Sequence, residues 1–198
     1  MIRFALLTWL IVGASTAGAQ SLPERFMIDG VAADDVLNIR AMPDASSDIV
    51  GSFNPFDLNV EVLDQQDGWG RVGTGEGSGW VSMRFLAPNP VPANDIPRPL
   101  SCFGTEPFWG MAMYPRGAEY TEMGQDRRVL NLLRERAATN GYLIEAREGP
   151  TLTRTLIVTA LSCSDGMSDR MFGMSATLFT DTPDGSYVQT GCCTMQVN

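Results

Sequence analysis

Five prolines fall within the fifteen residues APNPVPANDIPRPLS (87–101): Pro88, Pro90, Pro92, Pro97 and Pro99. Each lacks an amide hydrogen and fixes φ, so neither a helix interior nor a central strand can run through the segment. Extended, polyproline-like chain suits this composition and is expected to act as a semi-rigid spacer. The chain must therefore fold as two units, one on each side. The expected organisation is a leader over 1–19, a first module over 20–87, a linker over 88–100 and a second module over 101–198.

The leader, MIRFALLTWLIVGASTAGA, has the layout of an export signal. Arg3 supplies the positive end, Phe4 to Val12 form an apolar run interrupted only by Thr8, and Ala17 and Ala19 supply small residues for cleavage before Gln20. The apolar run is short of the roughly 20 residues a bilayer-spanning helix needs. A periplasmic or secreted location is expected, with no membrane insertion after cleavage.

The first module reads as short strands with tight turns. VLNIR (36–40) alternates, with Leu37 and Ile39 on one face. LNVEVLD (58–64) places Leu58, Val60 and Val62 on one side and Asn59 and Glu61 on the other. Asp67-Gly68 marks a hairpin turn, and strands are expected on both sides of TGEGSG. The stretches VLNIRAMPDASSDIVGSF, VEVLDQQDGWGRV and GSGWVSMRFL (residues 31–87) resemble a bacterial SH3-like (SH3b) domain. The resemblance implies an open barrel of five or six strands in an exported protein, binding peptidoglycan or an envelope protein partner. The glycine-rich TGEGSG lacks aromatic residues and departs from that pattern. Trp69 and Trp80 read first as barrel core; as surface anchors for a sugar or peptide they would be joined by Phe53 and Phe56. Asp64, Asp67 and Glu76 read as a solvated rim.

The second module also reads as β. FWGMAMY (108–114), GYLIEARE (141–148), TRTLIVTALSC (153–163) and MSATLF (174–179) carry strand patterns, and a TPDG turn leads into SYVQTGCC. The TRTLIVTALSC strand is expected to alternate at Leu156, Val158 and Ala160. Residues 125–138 fit helical spacing by propensity, but the β context and the Asn140-Gly141 hairpin signal favour strand. The blocks CFGTEPFW, CSDGMSDR and GCC resemble an uncharacterised family of bacterial exported proteins and lipoproteins over residues 101–195. That resemblance implies a compact, mostly β domain whose cysteines belong to the pattern; it carries no biochemistry. The fold class expected is mainly β: a small SH3-like barrel, then a disulfide-stapled β-barrel-like or β-sandwich-like domain.

The four cysteines, Cys102, Cys163, Cys192 and Cys193, all lie in the second module. An even count behind an export signal reads as disulfides. A bond between adjacent residues is disfavoured, so Cys102 and Cys163 should each take one of the vicinal pair; both crossings remain open. Neighbouring side chains on a strand point to opposite faces, which lets each reach a different partner.

Composition narrows the chemistry. The chain has no histidine, and all 14 basic residues are arginine, so histidine-based triads, histidine-ligated zinc and lysine Schiff bases are excluded. After cleavage 13 basic residues face 23 acidic ones, a balance that repels nucleic acid and anionic membranes. No cofactor or metal is expected. The C-terminal candidate site is Glu106 beside Trp109, with Asp165 or Asp169 as an ionised partner; together they would make a two-carboxylate hydrolase. The favoured expectation is a non-catalytic envelope binding protein. Its first module would bind peptidoglycan or a protein partner.

Overall fold

The computed structural model describes residues 22–196; the expected export signal at 1–19 lies outside them. The N-terminal module contains β1 (Glu24–Ile28), β2 (Leu37–Arg40), β3 (Ile49–Phe53), β4 (Val60–Val62), β5 (Asp64–Gln66), β6 (Trp69–Gly73) and β7 (Ser78–Ser82). A 3-10 turn (Met83–Phe85) then leads into β8 (Leu86–Pro88). Two antiparallel sheets form, in the orders β4-β1-β8 and β3-β2-β7-β6-β5. Asp67 and Gly68 both take positive φ, 49° and 81°, giving the primed turn that matches strand twist between β5 and β6. The alternation in β2 sends Leu37 and Ile39 into a core shared with Phe26, Val60, Val62, Val72 and Val81. Gly79 has no room for a side chain: a Cβ would lie 2.5 Å from Ile39 and 2.9 Å from the Arg40 carbonyl oxygen.

The C-terminal module is a closed barrel of eight strands. They are β9 (Leu100–Thr105), β10 (Phe108–Tyr114), β11 (Gly117–Glu122), β12 (Arg128–Ala138), β13 (Gly141–Glu148), β14 (Leu152–Thr159), β17 (Met174–Thr182) and β18 (Gly185–Thr194). The short β15 (Cys163–Ser164) and β16 (Met171–Phe172) pair outside it. Of the two architectures expected, the barrel is the one that forms. Residues 128–138 are strand, turning through Asn140-Gly141 into β13, with a bulge between Leu132 and Arg134. Leu130 and Leu132 therefore face the core, while Leu133 is exposed. β14 ends at Thr159, shorter than expected: Ala160 lies past the strand, and the inward positions are Arg154, Leu156 and Val158.

An arginine at an inward position needs partners. Arg154, 1% exposed, pairs with Glu148 at 2.8 Å and donates to the Thr180 hydroxyl at 2.9 Å. Its guanidinium also lies 3.4 Å from the centre of the Tyr120 ring. Arg128 joins the network through Glu122 and Glu148. Gln189 accepts from the Tyr120 hydroxyl at 3.4 Å, and the rest of the interior is mostly apolar, with Leu100, Met111, Met113, Ile144, Met174 and Leu178 fully buried.

The proline segment does not stand free as a spacer. Ile96 and Pro97 are buried, and Ile96 belongs to the barrel core with Val91 packed against it. Arg98 pairs with Glu135 and donates to the Tyr114 carbonyl, while Arg25 of β1 donates to the carbonyls of Asn89 and Arg98. Ala87 and Pro88 still pair with β1 at the end of β8, and beyond them Ile96 and Arg98, between the prolines, carry the contacts that hold the segment down.

Candidate functional site

The N-terminal module turns one sheet face outward. Opposite the buried Leu37 and Ile39, β2 presents Asn38 and Arg40. The register places Arg40 and Arg71 on either side of Trp80, and Trp69 across from Ser82. Trp69 and Trp80 are thus half-buried on the outer face and are not barrel core. Glycine and valine, at Gly70, Val72, Gly79 and Val81, fill the inner positions instead. A groove of about 660 Å³ runs along this face, lined by Asn38, Arg40, Trp69, Ser82, Arg84 and Phe85. Asp35 stands at its side. Arg40 is held by a 2.8 Å bond to the Ser47 carbonyl, and Arg84 lies over the Phe85 ring at 4.3 Å. The two phenylalanines do not join the tryptophans: Phe53 is in the core, and Phe56 is 72% exposed and does not line the groove.

In the C-terminal module the vicinal cysteines separate as strand geometry requires. Cys193 faces into the barrel and bonds Cys102, directly opposite it on β9. Cys192, on the other side of β18, bonds Cys163 and pins the 160–173 segment to the outside of the barrel. Gly191 permits the close approach of β18 and β9, since a Cβ there would collide with the Phe103 carbonyl. The crossings left open by sequence are thereby resolved as 102–193 and 163–192.

The pinned segment also reaches the N-terminal module. The Asp169 amide donates to the Glu76 carbonyl at 3.1 Å, and the Met171 amide to the Ser78 hydroxyl at 3.3 Å. As a result the CFGTEPFW, CSDGMSDR and C-terminal blocks meet at the seam between modules. They line a cleft of about 480 Å³ with Phe103, Phe108, Trp109, Met167, Arg170 and Phe172, faced by Gly75 and Glu76 of the glycine-rich loop. Trp109 is buried, its indole N–H bonded to the Thr190 carbonyl at 3.3 Å. Phe103 meets Phe172 edge-on at 5.0 Å.

The three candidate carboxylates do not line one common cavity. Glu106 is exposed on the β9–β10 hairpin, next to a cis bond to Pro107. It shares the lining of a cavity of about 530 Å³ with Asp165. Asp165 is committed to its own loop, accepting from the amides of Met167 and Ser168 and from the Ser168 hydroxyl. Those bonds, the Ser168 amide first, hold its carboxyl below the usual range. Asp169 lines neither this cavity nor the seam cleft.

Sequence reasoning missed Glu61. The alternation of VEV predicts a solvent-facing side chain, yet all three residues are buried and Glu61 is 3% exposed. Its outward face is covered by the end of β18. Thr194 donates its hydroxyl to Glu61 at 2.5 Å, and Gln196 donates to the Gly73 carbonyl at 3.2 Å. Burial pushes the Glu61 carboxyl up to about 7, although the Thr194 hydroxyl, the Met195 amide and the Arg170 charge pull it down. No local pattern carries this signal, because the covering surface comes from residues more than 130 positions away.

No curated protein and no solved structure matches the chain. Residues 35–87 match the family model of the bacterial SH3 domain. The N-terminal module over those residues is therefore a bacterial SH3 domain, to which β1 adds a strand paired with β4 and β8.

Proposed function

We propose that this chain is an exported, non-catalytic cell-envelope protein. Its SH3 module binds peptidoglycan through the Trp69 groove. The observation carrying the reading is the groove itself: an aromatic face beside Arg40, Arg84, Asn38 and Ser82, on the outward side of the sheet. Such a surface offers stacking area for a sugar ring or peptide, and cations for the carboxylates of peptide stems. The two disulfides suit an oxidising compartment outside the cytoplasm. Among the described residues no helix is long and apolar enough to cross a membrane.

Retention of the chain on purified peptidoglycan tests the proposal. Trp69→Ala is expected to weaken retention at least about tenfold, in keeping with a buried aromatic anchor. Equal retention of wild type and Trp69→Ala would remove the groove from the reading. Failure of the wild type to bind would leave an envelope protein partner as the occupant. The rival class is an envelope hydrolase using Glu106 with Asp165 or Asp169, favoured by the cavity that Glu106 and Asp165 share. Release of soluble fragments from peptidoglycan by the wild type, abolished in Glu106→Gln, would establish it.

A further inference from the structure

The seam cleft contains a buried cation, Arg170, that forms no ion pair among the described residues. Arg170 lines it and is only 8% exposed. Its guanidinium lies 4.8 Å from the centre of the Phe172 ring and packs with its Nε edge against Gly73, and that Nε has no hydrogen-bond partner among the described residues. Glu61 and Asp165 act on it only through space, and burial pushes its pKa down. A buried guanidinium left in this state is costly unless something completes it. Around it the walls are aromatic and apolar, through Phe103, Phe108, Met167 and Phe172, while Glu76 and Asp165 add negative charge. The cleft's 480 Å³ lies within the range of sites that enclose small organic ligands.

We propose that the seam cleft binds a short apolar peptide or amino acid, its carboxylate paired with Arg170 and its side chain against Phe103, Phe108 and Phe172. A guanidinium recognises a carboxylate by charge-assisted hydrogen bonds, and the rings supply apolar contact for the body. Glu76 and Asp165 favour a ligand whose other end is a protonated amine and disfavour a simple dianion. This site is separate from the Trp69 groove and does not depend on peptidoglycan binding there.

Isothermal titration calorimetry of the full chain with the dipeptide Leu-Phe tests the inference, using its C-terminal amide and its N-acetyl form as comparisons. A Kd on the order of 100 µM is expected for a ligand of this size. The amide should bind at least about tenfold more weakly, because the charged contact is lost, and the N-acetyl form about two- to threefold more weakly. Arg170→Gln should abolish the preference for carboxylate over amide. Because Arg170 is buried, Gly75→Phe provides a second test. Gly75 lines the cleft and a Cβ there meets nothing within 4 Å, so a bulky side chain is accommodated at the cleft's edge, and affinity should fall about tenfold or more. Absence of binding to the wild type, equal affinity for acid and amide, or undiminished binding in Gly75→Phe would each overturn the proposal.

Discussion

The two modules solve the same problem, a small β core, in opposite ways. The C-terminal strands close on themselves when β18 pairs with β9, and two disulfides meet at that closure. The SH3 module remains two sheets with free edges and has no disulfide. It keeps Trp69, Trp80, Arg40 and Arg71 on an outward face and leans its β4 on the end of β18. Closure abolishes strand edges and permits a buried polar network such as Arg154–Glu148–Thr180. An open module leaves backbone and aromatic surface available for a ligand. On the proposed reading, the closed barrel serves as the scaffold, and recognition belongs to the SH3 module and the seam between them.

The largest test of that contrast is loss of barrel closure. Cys102 and Cys193 are 91 residues apart, Cys163 and Cys192 only 29. In the chain-entropy model, Cys102→Ser with Cys193→Ser should cost about 4–5 kcal/mol, and Cys163→Ser with Cys192→Ser about 3–4. Denaturant unfolding of both double variants measures the difference. The second variant should in addition weaken the Leu-Phe affinity, because the 160–173 segment carrying Arg170 is no longer pinned. A reversed order of destabilisation would mean that the outer segment, and not the β9–β18 seam, holds the barrel together.

Next in size is the seam itself, where Glu61 joins the modules. Its carboxyl is ordinary, near 4.5, in the unfolded chain and about 7 in the folded one. The folded protein therefore binds more protons between those values, and stability is lost as pH rises through that window. An ionised Glu61 should cost about 3 kcal/mol above pH 7 relative to below 4.5. Glu61→Gln keeps a carbonyl oxygen for Thr194 and carries no charge. It should match the wild type near pH 4.5 and exceed it by a comparable amount at pH 8. Parallel pH profiles for the two proteins would show that Glu61 is not the titrating group.

Much of this architecture is written in local patterns. The alternation of VLNIR, GYLIEARE and MSATLF, the Asp67-Gly68 turn and the β18 cysteines each specify structure within a few residues, and they translate directly into strands and staples. Arg154 could not be read the same way, since its inward position is acceptable only once Glu148, Thr180 and Tyr120 surround it. The same holds for Glu61, and for Arg170 under the glycine-rich loop. Three sequence blocks marked the C-terminal module as a recurring pattern without biochemistry attached. Their convergence depends on the 163–192 bond and on contacts to Glu76 and Ser78 in the other module. Long-range burial of charge is the part of the fold that short periodicities do not encode.

The smallest effect tests which aromatic residues belong to the SH3 groove. Composition alone groups Phe53, Phe56, Trp69 and Trp80, all within one module and beside turns. The fold divides them by the parity of their strands: Phe53 points inward, Trp69 and Trp80 point outward, and Phe56 sits in the turn before β4, away from the groove. Phe56→Ser removes a side chain that is 72% exposed, so stability should stay within about 0.5 kcal/mol of wild type. Retention on peptidoglycan should be unchanged, whereas Trp69→Ala loses it. If Phe56→Ser weakened retention as much as Trp69→Ala, the binding surface would extend around the edge of β3 to the opposite side of the module. Recognition would then belong to the rim of the open barrel, and the outward face of β2, β6 and β7 would be only part of it.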